Sequence, residues 1–106
     1  MPKVVVVRPG EDPVAEEVDE VPTLESMQQL VDGYIEVTSL SRLCPPLRAP
    51  GWAVLVCNEE GRLVPLRYNR INVYGTFFIC RRVNDELVAL DDDATAKILA
   101  LPWDRR

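Results

Sequence analysis

Lys3-Val4-Val5-Val6-Val7-Arg8-Pro9-Gly10 is the stretch on which the reading of this chain turns. Four β-branched residues in a row suit a strand buried on both faces. The Pro9-Gly10 pair then turns the chain. Working outward, residues 13–18 read as a second strand, with Val14, Glu16 and Val18 on one face. Leu24, Met27, Leu30 and Val31 have helical spacing after Thr23, a good N-cap, and Asp32-Gly33 ends that helix with glycine in the left-handed position. Tyr34 to Val37 reads as a strand, and residues 40–51, with Pro45, Pro46 and Pro50, as a loop. Trp52 to Cys57 is a buried strand, Asn58-Glu59-Glu60-Gly61 a turn with Gly61 supplying positive φ, and Arg62 to Leu66 a short returning strand.

Val73 to Val83 alternates in the manner of a long strand. Asn84-Asp85 turns the chain, and Leu87 to Leu90 forms a last short strand. Asp91-Asp92-Asp93 opens a helix with Ala94, Ile98 and Leu101 on one face, stopped by Pro102. The expected order is β-β-α-β-β-β-β-β-α. The expected fold is α+β, a single small domain over residues 1–106 with a mixed or mostly antiparallel sheet and two helices packed on it.

Composition removes several function classes. The chain has 106 residues, a net charge of −5 and no histidine. Without histidine it has neither the commonest general base nor the commonest transition-metal ligand. Cys44, Cys57 and Cys80 form no C-x-x-C pair and read as reduced, mostly buried thiols. Glycine-rich phosphate loops and the EF-hand spacing are absent from the sequence. The carboxylate pairs Glu59-Glu60 and Asp92-Asp93 fall in a turn and at a helix cap, which accounts for them without catalysis. The chain therefore reads as a non-enzyme with neither cofactor nor metal. A pI near 4.7 argues against bulk nucleic-acid binding. With no apolar run long enough to span a bilayer, a soluble cytoplasmic protein is expected.

Charge is unevenly divided. Residues 11–25 carry seven acidic side chains and no basic one; residues 42–82 carry seven arginines against Glu59 and Glu60. Trp52, Tyr68, Tyr74, Phe77 and Phe78 lie in the same middle segment. Arginine beside aromatics suits a nucleotide-like small anion, through bidentate hydrogen bonds and stacking. Asn58, Glu59, Arg62, Arg67, Tyr68, Asn69 and Arg70 are the candidate ligand-binding residues. Ordinary surface or structural pairing of the acidic arm with the basic middle is the competing explanation. Turn chemistry competes for Asn58 and Asn69, and a core position for Tyr74, Phe77 and Phe78. An alternative function is a protein-interaction module. Its acidic Glu16, Glu17, Asp19 and Glu20, or the proline loop at 43–51, would contact a basic host protein.

Five blocks in order carry a resemblance: V-V-V-V-R-P-G at 4–10, L-x-x-M-Q-Q-L-V-D-G-Y-I-E at 24–36, V-C-N-E-E-G-R-L at 56–63, P-L-R-Y-N-R at 65–70 and Y-G-T-F-F-I-C at 74–80. Over about residues 4–100 the chain resembles a family of small proteins of unknown function, the DUF 3846 type, encoded by phages, plasmids and other mobile elements of bacteria. The proline loop at 41–51 and Arg81-Arg82 depart from the usual pattern of that family. A homo-oligomer with the anion held at its interface is a separate expectation, from the arginine-rich segment. The resemblance implies a mobile-element accessory protein and no established activity, so the expected cytoplasm is that of a bacterial host. Such proteins often antagonise host defence by binding a defence protein or sequestering a nucleotide signal.

Overall fold

In the computed structural model, the valine run lies inside an antiparallel sheet. The structure describes residues 1–61, 66, 68–71 and 73–103. Strand β1 (Lys3–Val7) is flanked by β2 (Val14–Glu17) on one side and β5 (Phe77–Val83) on the other. Beyond β5 come β4 (Ala53–Asn58) and the edge strand β3 (Ile35–Ser39), giving the order β2-β1-β5-β4-β3. Strand β6 (Glu86–Val88) pairs with the far end of β5. Every pairing is antiparallel, as expected of the mostly antiparallel α+β reading.

Alternation divides the valines between two apolar layers. Val5 and Val7 join Leu55, Phe77 and Ile79 on one face, under α2 (Leu40–Leu43), α3 (Asp92–Leu99) and Trp103. Val4 and Val6 join Val54, Val56, Phe78 and Cys80 on the other, under Met27 and Val31 of α1 (Leu24–Val31). All four valines are fully buried. A continuous apolar run is tolerated here because both faces of the sheet are covered.

Both longer helices start as their caps predict. Thr23 Oγ1 accepts from the Ser26 N–H at 3.0 Å, and Asp91 Oδ1 accepts from the Ala94 N–H at 2.8 Å. Four details differ from expectation. The left-handed residue ending α1 is Asp32 (φ 60°), not Gly33. Gly33 is needed for closeness instead, since a Cβ there would lie 2.5 Å from Asn58 Nδ2. Residues 40–51 hold the α2 turn and a 3-10 turn at Pro45–Leu47 rather than plain loop. Prolines are accepted in a first helical turn, where no N–H is required, and Leu40 and Leu47 bury beneath them. Strand β5 begins at Phe77, not Val73, because Gly75 (φ 81°) leaves the extended conformation. Finally, Gly61 has no positive φ. A Cβ on it would meet the Tyr74 carbonyl oxygen at 2.8 Å, so it too serves close approach.

The Asn84-Asp85 turn is as read, with both residues left-handed (φ 51° and 66°), the geometry of a tight hairpin between β5 and β6. The expected strand at 62–66 lies almost wholly outside the described residues. Among the described residues, no helix is long and apolar enough to cross a membrane.

Candidate functional site

Where β3 and β4 pair, Glu36 stands opposite Cys57 and Thr38 opposite Leu55. Opposed residues on antiparallel strands point to the same face, so these four share one side of the sheet. It is the side covered by α2 and α3. Leu43 of α2 bounds the hollow at one end, and Asn58, Glu59 and Gly61 of the turn after β4 bound it at the other. Val73 and Tyr74 form the remaining described wall. The result is a cleft of about 250 Å³.

Local hydrogen bonds hold its rim. Asn58 Nδ2 donates to the Val31 and Asp32 carbonyls at 3.2 and 3.1 Å, and its Oδ1 accepts from the Glu60 N–H at 2.8 Å. The Glu59 N–H donates to the Tyr34 carbonyl at 2.9 Å, extending the β3–β4 pairing into the turn. Gly61 rests on the backbone of Tyr74. Tyr74 meets Tyr68 edge to face, with ring centroids 5.2 Å apart.

The chemistry of the walls is one-sided. Glu36 and Glu59 are exposed at the mouth, and the Thr38 hydroxyl adds another polar group. Among the described lining residues there is no cation. The buried Cys57 thiol is pushed up to about 11, first by burial and then by the nearby Glu36 carboxylate. At neutral pH it is a protonated thiol and a poor nucleophile. Among the described residues, no group of three or more cysteines and carboxylates is placed to hold a metal ion.

The sequence profile of the family described as a domain of unknown function, DUF3846, matches residues 2–101. The chain belongs to that family. No curated protein and no solved structure gives a match.

In this DUF3846 chain the candidate residues separate into groups. Asn58 and Glu59 line the cleft, and the exposed Tyr68 touches its wall through Tyr74. The Asn58 amide nitrogen is committed to closing α1, as the turn-chemistry reading expects. Asn69 faces elsewhere: its Nδ2 donates to the Val7 and Gly75 carbonyls, both at 2.8 Å, and its buried Oδ1 has no hydrogen-bond partner among the described residues. The Arg70 guanidinium donates to the Glu11 carbonyl at 2.9 Å, so it reaches the acidic segment through backbone. Arg62 and Arg67 lie outside the described residues.

The other described arginines do not converge on the cleft. Arg42 and Arg48 are exposed on the 40–48 segment, while Arg81 donates to the Ala89 carbonyl at 3.1 Å and stands 3.7 Å from Asp91. In the acidic segment Glu16 pairs with Arg8 at 2.7 Å, a neighbour in the β1–β2 hairpin rather than a residue of the basic middle. That hydrogen bond is also the leading reason the Arg8 pKa is raised. Glu17, Asp19 and Glu20 are exposed on or just after edge strand β2.

Sequence reasoning missed Glu36, Thr38 and Cys57 as site residues. Their alternation on β3 and β4 was visible, but the register that places Glu36 against Cys57 was not. Tyr74 was read as core with Phe77 and Phe78. The two phenylalanines are fully buried, whereas Tyr74 is half-buried and forms a wall of the cleft.

Proposed function

We propose that this DUF3846 protein is a stoichiometric, non-enzymatic binding protein of a bacterial mobile element, and that its ligand enters the cleft between β3, β4 and the 58–61 turn. The observation that carries this reading is the composition of that cleft. Two carboxylates and a hydroxyl surround an apolar floor, beside a thiol held protonated. Polar groups spaced around an apolar floor orient a bound molecule. In its host such a protein would act in the cytoplasm, withholding a ligand or blocking a defence component. A nucleotide-like anion is the less favoured ligand, because its charge partners would have to come from Arg62 and Arg67 rather than the described walls.

Native mass spectrometry of the protein purified from bacterial cells tests the reading. A small-molecule adduct should be retained by the native chain, lost on denaturation, and absent from Thr38→Trp, which fills the cleft. An adduct held equally by Thr38→Trp would place binding elsewhere.

A second reading has its own observation. Strand β2 is an outer strand of the sheet, and Glu17, Asp19 and Glu20 are exposed along it and just beyond. An acidic edge favours association with a basic host protein by steering. For a confirmed partner, Glu17→Lys with Glu20→Lys should weaken salt-sensitive capture, and unchanged capture would exclude this edge.

A further inference from the structure

We propose that the cleft is a receptor for an organic cation, an ammonium or guanidinium group on an alkyl chain, bound between the Glu36 and Glu59 carboxylates and beside Tyr74. This inference rests on the reading of the cleft as a ligand site and names the ligand's chemistry. Three observations converge on it. First, the ionised groups among the described lining residues are both negative, one from β3 and one from the turn after β4. Neither carboxylate has an ion-pair or hydrogen-bond partner among the described residues, whereas Glu16, Asp91 and Asp92 elsewhere are paired with Arg8, Arg81 and Lys3. Second, an aromatic wall is present in Tyr74, and an aromatic ring attracts a cation where it excludes water. Third, size limits the guest. At about 250 Å³ the cleft falls below the usual range for drug-sized ligands, roughly 300–1,000 Å³. It accommodates a single charged group with its alkyl stem. Leu43, Leu55 and Val73 supply apolar contact for that stem.

The guest has two sources with the same chemistry. One is a free small molecule, and the other is a lysine or arginine side chain presented by a partner protein. The geometry demands only that the charged head reach the two carboxylates while the stem lies on the apolar floor.

Amide chemical-shift titration with agmatine, spermidine, a capped Gly-Arg-Gly peptide and AMP decides the matter. Saturable shifts at Glu36, Cys57, Glu59 and Tyr74 with the cationic probes are expected. Glu36→Gln with Glu59→Gln should weaken them at least about tenfold, the scale of one hydrogen bond to a charged group. These exposed, near-isosteric changes leave the fold intact, and Glu60→Gln, outside the cleft, should bind as the native chain does. A stronger response to agmatine than to the peptide identifies a free ligand, and the reverse a partner side chain. Cationic shifts unaltered by the double substitution overturn the proposal. If AMP saturates the cleft and the cations do not, the cation assignment fails while the ligand site stands. If no probe perturbs the cleft and Thr38→Trp leaves the cellular adduct in place, both fail.

Discussion

The carboxamide of Asn58 donates to the main-chain carbonyl of Val31 at 3.2 Å, joining the end of β4 to the end of α1. The same nitrogen reaches the Asp32 carbonyl, and the side-chain oxygen holds the Glu60 N–H. One buried side chain thus closes a helix and sets the turn that rims the cleft.

Asn58→Ala should lower unfolding free energy by about 1–3 kcal/mol, the cost of leaving buried polar groups unpaired. Asn58→Asp should cost more, because it sets a carboxylate against two carbonyl oxygens at the negative end of α1. Urea denaturation of the three proteins checks the order native, then alanine, then aspartate.

Gly61 and Tyr74 make a second, purely steric prediction. A methyl group at position 61 would sit 2.8 Å from the Tyr74 carbonyl oxygen, and backbone cannot yield as a flexible side chain does. Gly61→Ala should destabilise by about 1–3 kcal/mol and shift the Tyr74 and Val73 amide resonances. Gly51→Ala serves as the control, since nothing lies within 4 Å of its added carbon.

The Cys57 and Cys80 thiols should titrate far from neutrality. Burial, opposed slightly by Arg82, pushes Cys80 up to about 12, while burial and Glu36 push Cys57 up to about 11. Both folded values lie above the ordinary thiol value of 9.0, so the folded state holds these protons more tightly than the unfolded chain. Their contribution to stability is complete below about pH 9 and is lost as pH rises toward 11 and 12. The urea midpoint should therefore fall between pH 8 and pH 10.5. Alkylation at pH 8 should modify the half-buried Cys44 first, followed by mass spectrometry of the peptides.

At α3, Asp91→Ala removes the cap on the Ala94 N–H and the carboxylate beside Arg81. A loss of about 0.5–2 kcal/mol is expected. Asp91→Asn should recover most of it, because the amide oxygen still accepts from Ala94. Thermal unfolding of the pair separates the cap from the longer ion pair.

Much of this architecture was legible in residue order. Val4–Val7 announced a strand covered on both sides, and Thr23 and Asp91 announced helix starts that the hydrogen bonds reproduce. The proline segment was less legible, because Pro45 and Pro46 break regular structure in most settings but begin a 3-10 turn when Leu47 can bury. The site was the least legible. Seven arginines close in sequence suggested a pocket, yet the described ones sit on different elements, Arg42 on α2, Arg48 at the end of the 3-10 turn, Arg70 against the Glu11 carbonyl and Arg81 and Arg82 on β5, and they end up apart. The cleft arises from strand register, a relation between residues far apart in the chain.

The placement of β1 also governs how the chain reaches its native state. Its partner β2 follows at once, but Val5 meets Ile79, far later in the chain, and Lys3 bridges Leu90 later still. During synthesis the β1–β2 hairpin therefore waits with one apolar edge uncovered until β5 leaves the ribosome. Contacts of such long sequence separation slow folding and prolong exposure to aggregation. The charged residues of β2, set along the opposite edge of that waiting hairpin, limit strand-to-strand association from the side that β5 never covers.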